Sequence, residues 1–496
     1  MMASSLLRGV SLTSLLRDLV EVPAMLERQV EDLTLDSREV RPGTCFVALR
    51  GHRDDGGRYA ADAIARGAIA ILAERPLHGL RPDVPVLHSA QLGQQLGTLA
   101  NRFFATPSAA LKLCAVTGTN GKTTVAHLLA QAVECMGEAA AYIGTLGAGA
   151  LGHLQPLVNT TPDILTINHW LAASRDRGCS LAALEASSHA LAQQRLAGLA
   201  IKAAAFTNLG HDHLDYHIDR DAYGAAKRSL FAHPDLGASV LNVDDALGAQ
   251  IALTRPATET MWTCSSRDSV ARLRADAIVA TASGMQFTLD IDGWRRPIAS
   301  RLAGRFNVDN LLIVCGLLLA SGYARSALAE ILPMLRGVRG RAEECGQTAS
   351  GARVFVDYAH SPDSLAAILA TLRELAPRRI VVVFGCGGGR DHSKRPLMGA
   401  IAERDAERVI ITADNPRDED AATIATEIRA GMRAPDQASV ILDRALAIRT
   451  AMHEAGEGDL VLIAGKGHER TQESAGRMTA FSDHTEIARV LAEEGA

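Results

Sequence analysis

The chain has 496 residues, of which 47% are hydrophobic and 22% charged, enough material for about three conventional domains. Its formal net charge of −5 excludes the global basic field that draws proteins to nucleic acid or anionic membranes. The longest apolar run, LLIVCGLLLA, is about half a membrane span, and the eight cysteines show neither CxxC nor metal-ligand spacing. We therefore expect a soluble cytoplasmic protein with reduced thiols, no nucleic-acid partner and no membrane span.

The first predicted element is a short helix, because Leu12, Leu15, Leu16 and Leu19 have helical spacing. Residues 31–74 then predict a small α/β domain. CFVAL is a strand, RGHRDDGG is a glycine-rich loop, and RYAADAIARGA is a helix followed by another strand. By residue chemistry alone, Ser37 and His52 are turn residues. The domain is expected to end near residue 90, before a helix over QLGQQLGTLANRFF.

The segment CAVTGTNGKTTVAHLLAQAV, residues 114–133, predicts a strand, a glycine-rich loop and a helix. In that context the loop's backbone N–H groups converge on an anion at the helix N-terminus. Lys122 supplies a cation for phosphates, and Thr123 supplies a hydroxyl for Mg²⁺. Val116 stands where the general phosphate-loop pattern has its first glycine, so a plain strand–helix turn is the alternative. The flanking strand and helix favour nucleotide binding.

Polar clusters follow the next predicted strands. NTTPD covers residues 159–163, Glu185 ends the strand LAAL, and HDHLDYH follows the strand AAAF before a helix that carries Lys227. The segment SSHALAQQRL after Glu185 is also predicted to be helical. Ligands of open α/β sheets bind outside the carboxyl ends of the strands. The phosphate loop, Glu185 and the HDHLDYH loop are therefore predicted to form one crevice.

The HDHLDYH loop offers five potential metal ligands, His211, Asp212, His213, Asp215 and His217. Zinc prefers three or four nitrogen or sulfur ligands, whereas a cation beside a phosphate loop is usually Mg²⁺ held by oxygen. Magnesium is the favoured interpretation. Zinc and a solvated surface loop are the alternatives.

The C-terminal part repeats one pattern four times, an apolar strand followed by a polar loop. The four loops are DYAHSPDS, CGGGRDHSKRP, DNPRDED and GKGHER. Helices intervene, so a mainly parallel, doubly wound sheet with all four loops on one rim is predicted. CGGGRD lacks the G-x-G-x-x-G spacing, which argues against NAD. DNPR brings two hydrogen-bonding side chains, a rigid proline and a guanidinium together within one turn, and a plain Asn-Pro turn is the alternative.

GTNGKTT resembles the ATP loop of the Mur ligases and their folylpolyglutamate synthase relatives. The resemblance to Mur ligases extends over nearly the whole chain, through the segments DSREVRPG, FVALRG, DGGRYA and DNPR. The resemblance implies three α/β domains. These are a small uridine-binding domain (1–90), a central P-loop ATPase-type domain (91–339) and a C-terminal Rossmann-like, doubly wound amino-acid-binding domain (340–496). It also implies an enzyme that uses ATP and Mg²⁺ to join meso-diaminopimelate to a UDP-N-acetylmuramoyl dipeptide, and we expect this enzyme to be a monomer. In the family, DNPR marks the diaminopimelate-adding members.

The resemblance implies binding residues for each substrate. Those expected at ATP are Gly118, Thr119, Asn120, Gly121, Lys122, Thr123, Thr124, Asn307, Arg341 and Asp357. Those expected at the UDP-muramoyl dipeptide are Leu35, Ser37, His52, Arg53, Asp54, Asn159, Thr160, Thr161, Ser187, Gln193 and Arg195. Those expected at diaminopimelate are Arg390, Asp414, Asn415, Pro416, Arg417, Gly465 and Glu469.

The resemblance also implies the catalytic and metal residues. The catalytic set is Lys122, Glu185, His213 and Lys227, and the metal set is Thr123, Glu185, His213 and Lys227. Lys227 is expected as a carbamate (N6-carboxylysine), an anion able to bind a second Mg²⁺; an ordinary exposed helix lysine is the alternative. Asn307 and Asn310 fall on two family asparagines, with a capped core helix as the alternative. His211 stands where relatives have arginine, which leaves its role open.

Two rival functions remain at this point. A folylpolyglutamate synthase shares the phosphate loop and metal residues, but it should lack the uridine-domain segments and DNPR. A nucleotide-dependent switch protein shares only the phosphate loop.

Overall fold

A computed structural model describes residues 9–51, 54–81, 83–210, 212, 216–234, 236–256, 260–267, 270–281 and 284–494. Five residues singled out above, His52, Arg53, His211, His213 and Asp215, lie outside the described residues. The chain divides into two compact units. The first comprises the chain up to Ala115 with Glu138–Ala203 and Ala232–Gly237; the second comprises Val116–Gly137, Ala204–Phe231 and the chain from Ala238 onward. The domain boundaries near residues 90 and 339 stay predictions.

The described residues form 24 strands: β1 Val10–Ser11, β2 Gln29–Val30, β3 Asp32–Thr34, β4 Thr44–Ala48, β5 Ala70–Ala73, β6 Val86–His88, β7 Lys112–Thr117, β8 Ala140–Gly144, β9 Gly147–Gly149, β10 Leu181–Glu185, β11 Ala203–Phe206, β12 Ala238–Asn242, β13 Thr260–Ser265, β14 Leu273–Thr281, β15 Gly284–Ile291, β16 Trp294–Ser300, β17 Glu343–Gln347, β18 Arg353–Asp357, β19 Ile380–Phe384, β20 Arg408–Ile411, β21 Ser439–Val440, β22 Leu460–Ala464, β23 Thr471–Ser474 and β24 Arg477–Ala480.

The same residues form 16 α-helices: α1 Leu12–Leu16, α2 Ala60–Ala65, α3 Leu92–Phe104, α4 Pro107–Ala110, α5 Lys122–Cys135, α6 Ile164–Asp176, α7 Ser188–Ala192, α8 Arg220–Arg228, α9 Ala246–Thr254, α10 Arg305–Ala320, α11 Arg325–Ile331, α12 Pro362–Glu374, α13 Lys394–Asp405, α14 Ala421–Arg429, α15 Arg444–Glu454 and α16 Asp483–Glu494.

The first unit contains the predicted small α/β domain. Strands β3, β4, β5 and β6 pair in parallel and in sequence order. The apolar residues of β4 and β5 are buried against α2, with Phe46 and Ile71 meeting Ala63 and Ile64. The predicted strand CFVAL and the helix after it are therefore confirmed. Strands β8 and β10 of the same unit also pair in parallel.

Helix α7 is shorter than predicted, because it ends at Ala192 rather than continuing through QQRL. Gln194 adopts φ = 54°, a left-handed conformation that stops an α-helix. The predicted turn after Glu185 is otherwise confirmed, and Ser187 caps the helix by accepting a hydrogen bond from the Ala190 N–H.

The second unit begins with parallel pairing of β11 with β12, β12 with β13, and β13 with β14. Strands β14, β15 and β16 then form an antiparallel meander that the sequence patterns did not predict. The apolar run LLIVCGLLLA lies in α10 and is buried over most of its length. Along the described chain, no helix combines the length and apolarity needed to cross a membrane. All eight cysteines are free thiols, as predicted.

The C-terminal sheet has the strand order β17-β18-β22-β19-β20-β21, and all its pairs are parallel except the one made by the edge strand β17. Successive residues of β19 and β22 alternate between two cores. Val382 and Leu462 face the core packed by α12, α13 and α14, whereas Val383 and Ile463 face the core packed by α15 and α16. Helices thus cover both faces, and the predicted doubly wound sheet is confirmed. Because its central strands are parallel, the four polar loops lie on one rim.

Candidate active site

The glycine-rich loop joins the end of β7 to the start of α5, as predicted. Gly118 and Gly121 have φ values of 150° and 86°, which L side chains rarely adopt. A Cβ at Gly118 would also overlap the Thr207 hydroxyl. Both positions therefore require glycine. The loop leads directly into the positive N-terminal end of a 14-residue helix, the geometry that binds phosphate.

The Lys122 side chain folds back over this loop. Its Nζ donates hydrogen bonds to the carbonyl oxygens of Gly118 at 2.8 Å and Thr119 at 2.9 Å. Thr123, one residue further on, is buried, and its hydroxyl accepts a hydrogen bond from Arg341 Nη2 at 3.1 Å. A cation and a hydroxyl thus lie at the helix N-terminus, where phosphate and Mg²⁺ ligation need them.

The loop after β11 contacts the phosphate loop directly. The Thr119 N–H donates to the Asn208 carbonyl oxygen at 2.8 Å, and the Asn120 N–H donates to Asn208 Oδ1 at 3.0 Å. The Thr207 hydroxyl donates to the Asn120 carbonyl oxygen at 2.6 Å. The sequence analysis did not single out Thr207 or Asn208, although both lie between a predicted strand and HDHLDYH. That Glu185 shares this crevice stays a prediction.

Lys227 is buried, with 1% of its surface exposed, so the alternative of an ordinary exposed lysine is wrong. Its Nζ donates to the Gly118 carbonyl oxygen at 2.7 Å and lies 4.2 Å from the centroid of the Tyr223 ring. Burial lowers the pKa of Lys227 well below its ordinary value, the charge of Lys122 lowers it further, and Asp212 opposes the shift. A neutral amine is the form that reacts with CO₂ to give a carbamate.

Three expected ATP residues lie near the phosphate loop in the same unit. Asn307 donates to the Ala303 carbonyl oxygen and accepts from Asn310 Nδ2 at 3.2 Å. Asn310 Oδ1 in turn lies so close to Gly121 that a Cβ there would crowd it. The guanidinium of Arg341 also stacks on Tyr358, 4.5 Å from the ring centroid.

Asp357, at the end of β18, accepts a hydrogen bond from the Ala342 N–H at 2.6 Å. Burial raises the pKa of this carboxyl, and the charge of Arg341 opposes that shift. Asp357 thereby fixes the backbone next to Arg341, so the structure brings both expected ATP residues together.

In the first unit, Glu185 is completely buried at the end of β10. Its Oε1 accepts hydrogen bonds from the Tyr142 hydroxyl and from the Thr145 N–H, and its Oε2 accepts from the Thr145 hydroxyl at 3.1 Å. Tyr142 and Thr145 were missed by the sequence analysis, because no local pattern pairs them with Glu185.

The residues expected at the muramoyl dipeptide surround Glu185. The Thr161 hydroxyl donates to the Glu185 carbonyl oxygen at 2.6 Å and accepts from the Ser187 N–H at 3.0 Å. Arg195 donates to the Thr161 carbonyl oxygen at 2.6 Å and also binds Gln193 Oε1. The Thr160 hydroxyl lies 3.1 Å from the Thr145 hydroxyl, while the neighbouring Asn159 is exposed. Of the six expected residues between 159 and 195, all except Asn159 therefore form one hydrogen-bonded cluster with Glu185.

The small α/β domain has a cavity of about 250 Å³ where β4 and β5 end, lined by Ala48, Asp55, Gly57, Ala73 and Leu77 among others. Its nine described lining residues include four charged side chains, Arg50, Asp55, Glu74 and Arg75, and no aromatic ring, so a nucleotide base bound here would be held without aromatic stacking. Of the residues expected here, Ser37 is buried at the start of a 3-10 helix and Leu35 is partly buried, whereas Asp54 is exposed.

The DNPR loop packs closely on the glycine run of CGGGRD. The Gly388 N–H donates to the Asn415 carbonyl oxygen at 2.9 Å, and a Cβ at Gly388 would overlap the Pro416 carbonyl oxygen. Close packing against this loop thus explains the glycines, and a dinucleotide-binding site is not needed to explain them. Arg390, which follows them, is exposed.

Arg417 adopts φ = 55°, and its Nη1 donates to the Gly388 carbonyl oxygen at 2.6 Å. Its Nε lies 3.2 Å from the Glu473 carboxylate in the β23–β24 hairpin. Asp414 and Gly465 are in contact, since a Cβ at Gly465 would lie 2.6 Å from Asp414 Oδ2. Asn415 donates to Glu469 Oε2 at 2.8 Å. Most of the residues expected at diaminopimelate therefore converge on one rim.

The oxygen ligands described here fit a hard cation such as Mg²⁺. Glu185 supplies a buried carboxylate, and Thr123 supplies a buried hydroxyl at the N-terminus of α5. The unmodified amine of Lys227 does not fit a cation, whereas its carbamate would supply oxygens.

Three family models match the chain in order. A Mur ligase family catalytic domain matches residues 29–103, a Mur ligase middle domain matches 116–318, and a Mur ligase glutamate ligase domain matches 340–467.

Two curated relatives match the chain over nearly their full lengths. The UDP-N-acetylmuramoyl-L-alanyl-D-glutamate–2,6-diaminopimelate ligase of Xanthomonas campestris pv. campestris (strain 8004) is 45% identical over 98% of both chains. The enzyme of the same name from Pseudomonas aeruginosa PAO1 is 44% identical over 93% of this chain and 95% of that protein. A solved structure with this enzyme name superposes with a TM-score of 0.69 at 34% identity, covering 98% of this chain and all of that one.

Proposed function

The chain belongs to the Mur ligase family, and we propose that it joins meso-2,6-diaminopimelate to UDP-N-acetylmuramoyl-L-alanyl-D-glutamate, using ATP and Mg²⁺, in the cytoplasmic synthesis of peptidoglycan precursor. The observation that carries this proposal is the position of Arg417. It lies in the DNPR loop on the rim of the C-terminal sheet, beside the other residues expected at diaminopimelate. The near-full-length similarity to relatives of that name supports it.

The chemistry requires activation, because a carboxylate is a poor electrophile. In the proposed reaction the γ-phosphoryl group of ATP passes to the side-chain carboxylate of D-glutamate, which yields an acyl phosphate and ADP. The neutral amine of diaminopimelate then attacks the acyl carbon, and phosphate leaves as the amine nitrogen gives up a proton. The products are an amide, ADP and phosphate.

The described residues suit the separate tasks of this reaction. Lys122 and the N-terminus of α5 would bind the phosphates and neutralise the charge that develops during phosphoryl transfer. Bound Mg²⁺ would supply further charge neutralisation, and its expected ligands are Thr123, Glu185, carbamylated Lys227 and His213, the last of which lies outside the described residues. Arg417 would bind the distal carboxylate of diaminopimelate through its planar fork. Thr161, Ser187 and Arg195 would position the dipeptide.

The remaining parts of the proposal concern partners. The substrates are small molecules, with neither nucleic acid nor a membrane span involved, and the enzyme acts as a monomer. The folylpolyglutamate synthase alternative is disfavoured, because such an enzyme should lack both the uridine-domain segments and DNPR.

A substrate-dependence assay tests the function. ADP release should require both the UDP-muramoyl dipeptide and diaminopimelate, and mass spectrometry should detect the tripeptide product. Release of ADP without either substrate would instead support a nucleotide switch. Activity with a folate and glutamate in their place would support the synthase alternative.

A further inference from the structure

Lys466 follows β22 in the GKGHER loop and is completely buried, although the sequence analysis gave it no role. Its Nζ donates hydrogen bonds to Asn415 Oδ1 and Glu469 Oε2, each at 2.9 Å, and lies 3.7 Å from Asp414 Oδ1. All three partners are residues expected at diaminopimelate. The loops that carry them follow two different strands, β20 and β22. One buried cation therefore links two loops of the proposed amino-acid site.

These contacts determine which way the Asn415 amide points. Asn415 Oδ1 accepts from Lys466 Nζ and also from the Glu473 N–H at 3.0 Å. Its Nδ2 is consequently turned toward Glu469 Oε2, to which it donates at 2.8 Å. An ammonium group can only donate, so Lys466 excludes the flipped amide, which would place Nδ2 against Nζ.

The same cation keeps the site's carboxylates compatible with each other. Burial raises the pKa of Glu469, but the charge and hydrogen bond of Lys466, together with Asn415, outweigh burial and leave that pKa below its ordinary value. The pKa of Asp414 is raised, first by burial, and Lys466 opposes that shift. Without Lys466, the buried carboxylate of Asp414 and the partly buried carboxylate of Glu469 would have less positive charge beside them, which disfavours ionisation of both.

We propose that Lys466 is a positioning residue for the amino-acid substrate, which orients the Asn415 amide and holds the Glu469 carboxylate ready to receive an ammonium group. Lys466 acts on the substrate only through these two side chains, because it is completely buried and both of its hydrogen bonds go to them. The inference rests on the proposed function, since it takes Asn415 and Glu469 to bind diaminopimelate.

The test is steady-state kinetics of Lys466→Met with each of the three substrates varied in turn. The KM for diaminopimelate should rise about 10- to 100-fold, the effect of removing one partner of a buried hydrogen-bonded charge, with the KM values for ATP and the UDP-dipeptide nearly unchanged. Asn415→Ala should also raise the KM for diaminopimelate. If Lys466 acts through Asn415, the fold-increase in the KM for diaminopimelate in the double variant should be smaller than the product of the fold-increases in the two single variants.

Two further variants separate positioning from general support of the fold. Lys466→Gln keeps N–H donors in a smaller side chain without the charge, so it should show the same selective rise in KM to a smaller extent and remain measurable if the methionine variant does not fold. Asp459→Asn removes a buried charge just before β22, at the opposite end of that strand from Lys466, where Asp459 pairs with Arg378 and Arg379. This control should lower stability without a selective rise in the KM for diaminopimelate.

The outcomes distinguish the two proposals. A wild-type enzyme that shows no ADP release dependent on diaminopimelate contradicts the proposed function. The positioning role is contradicted if the wild type is active and the folded Lys466 variants keep the wild-type KM for diaminopimelate. It is also contradicted if the KM values for all three substrates rise equally.

Discussion

Lys122 and Lys227 donate hydrogen bonds to the same atom, the backbone carbonyl oxygen of Gly118, at 2.8 Å and 2.7 Å. Burial is the larger cause of the low pKa of Lys227, which lies well below its ordinary value. Repulsion between two ammonium groups that share one acceptor lowers this pKa further. Conversion of Lys227 to a carbamate would replace repulsion with attraction toward Lys122.

Lys227→Ala should lose most activity, because the variant lacks the anion that the carbamate supplies for the second Mg²⁺. Small carboxylates added to the assay should restore part of the activity by occupying the space left by the side chain. In wild-type protein equilibrated with ¹³C-bicarbonate, carbon NMR should show a carbamate signal that is absent from the variant.

Lys227→Arg provides the matched control, since it keeps a cation but cannot form the carbamate. It should be inactive and should not respond to carboxylates, because its side chain still fills the site. Full activity of either variant without added carboxylate would rule out the carbamate.

Lys122→Ala should reduce acyl-phosphate formation by about 100-fold or more, the typical effect of removing a group that stabilises charge in the transition state. The affinity for the UDP-muramoyl dipeptide should remain nearly unchanged. Lys122 belongs to one compact unit, whereas the residues expected at the uridine end belong to the other. Isothermal titration with the UDP-dipeptide measures this affinity, and a comparable collapse there would contradict the assignment of the uridine end to residues 1–90.

Arg417→Ala should lower kcat/KM for diaminopimelate and narrow its advantage over lysine, which lacks the distal carboxylate. Loss of a desolvated Arg–carboxylate contact costs about 2–5 kcal/mol, or tens- to thousands-fold in affinity. Lysine would also leave the guanidinium without its substrate partner, so the wild type should reject it strongly.

Steady-state kinetics with both amino acids decides this prediction. Arg429→Ala is a suitable control, because Arg429 lies at the other end of α14 from the DNPR loop and pairs with Asp436. This variant should not change the ratio of kcat/KM for diaminopimelate to kcat/KM for lysine. If Arg417→Ala also leaves the ratio unchanged, the selectivity lies elsewhere, with Arg390 and Glu469 the next residues to test.

Arg444 and Asp483 form an ion pair in which both side chains are completely buried. The pair joins the first residues of α15 and α16, and Arg444 Nη2 also donates to the Ala464 carbonyl oxygen at 3.0 Å. Removing one partner leaves the other charge buried and unpaired, so Arg444→Met should lower the free energy of unfolding by about 3–5 kcal/mol. Urea denaturation measures the loss. The double variant Arg444→Met with Asp483→Asn should recover part of it, and a loss in the double variant equal to the sum of the single losses would contradict the pairing.

The sequence predicted the elements that depend on local pattern. The strand, glycine loop and helix around Lys122, the position of Glu185 at the end of a strand, and the four strand–loop repeats of the C-terminal sheet were all confirmed. Hydrophobic periodicity and glycine placement encode such features within a few residues. The parallel rim followed from them, because helices that connect strands return each strand in the same direction.

The tertiary structure alone decided the features that join distant residues. The sequence left Lys227 open as a surface lysine, since its burial depends on Tyr223 and on Gly118, which lies more than a hundred residues earlier. The sequence analysis likewise assigned no role to Lys466. Lys466 meets Asn415 because β22, which precedes Lys466, lies between β18 and β19 in the sheet, and the sequence does not reveal this strand order. Strand order and burial arise from pairing across the chain, and that long-range pairing sets the pKa of Lys227 and the orientation of Asn415.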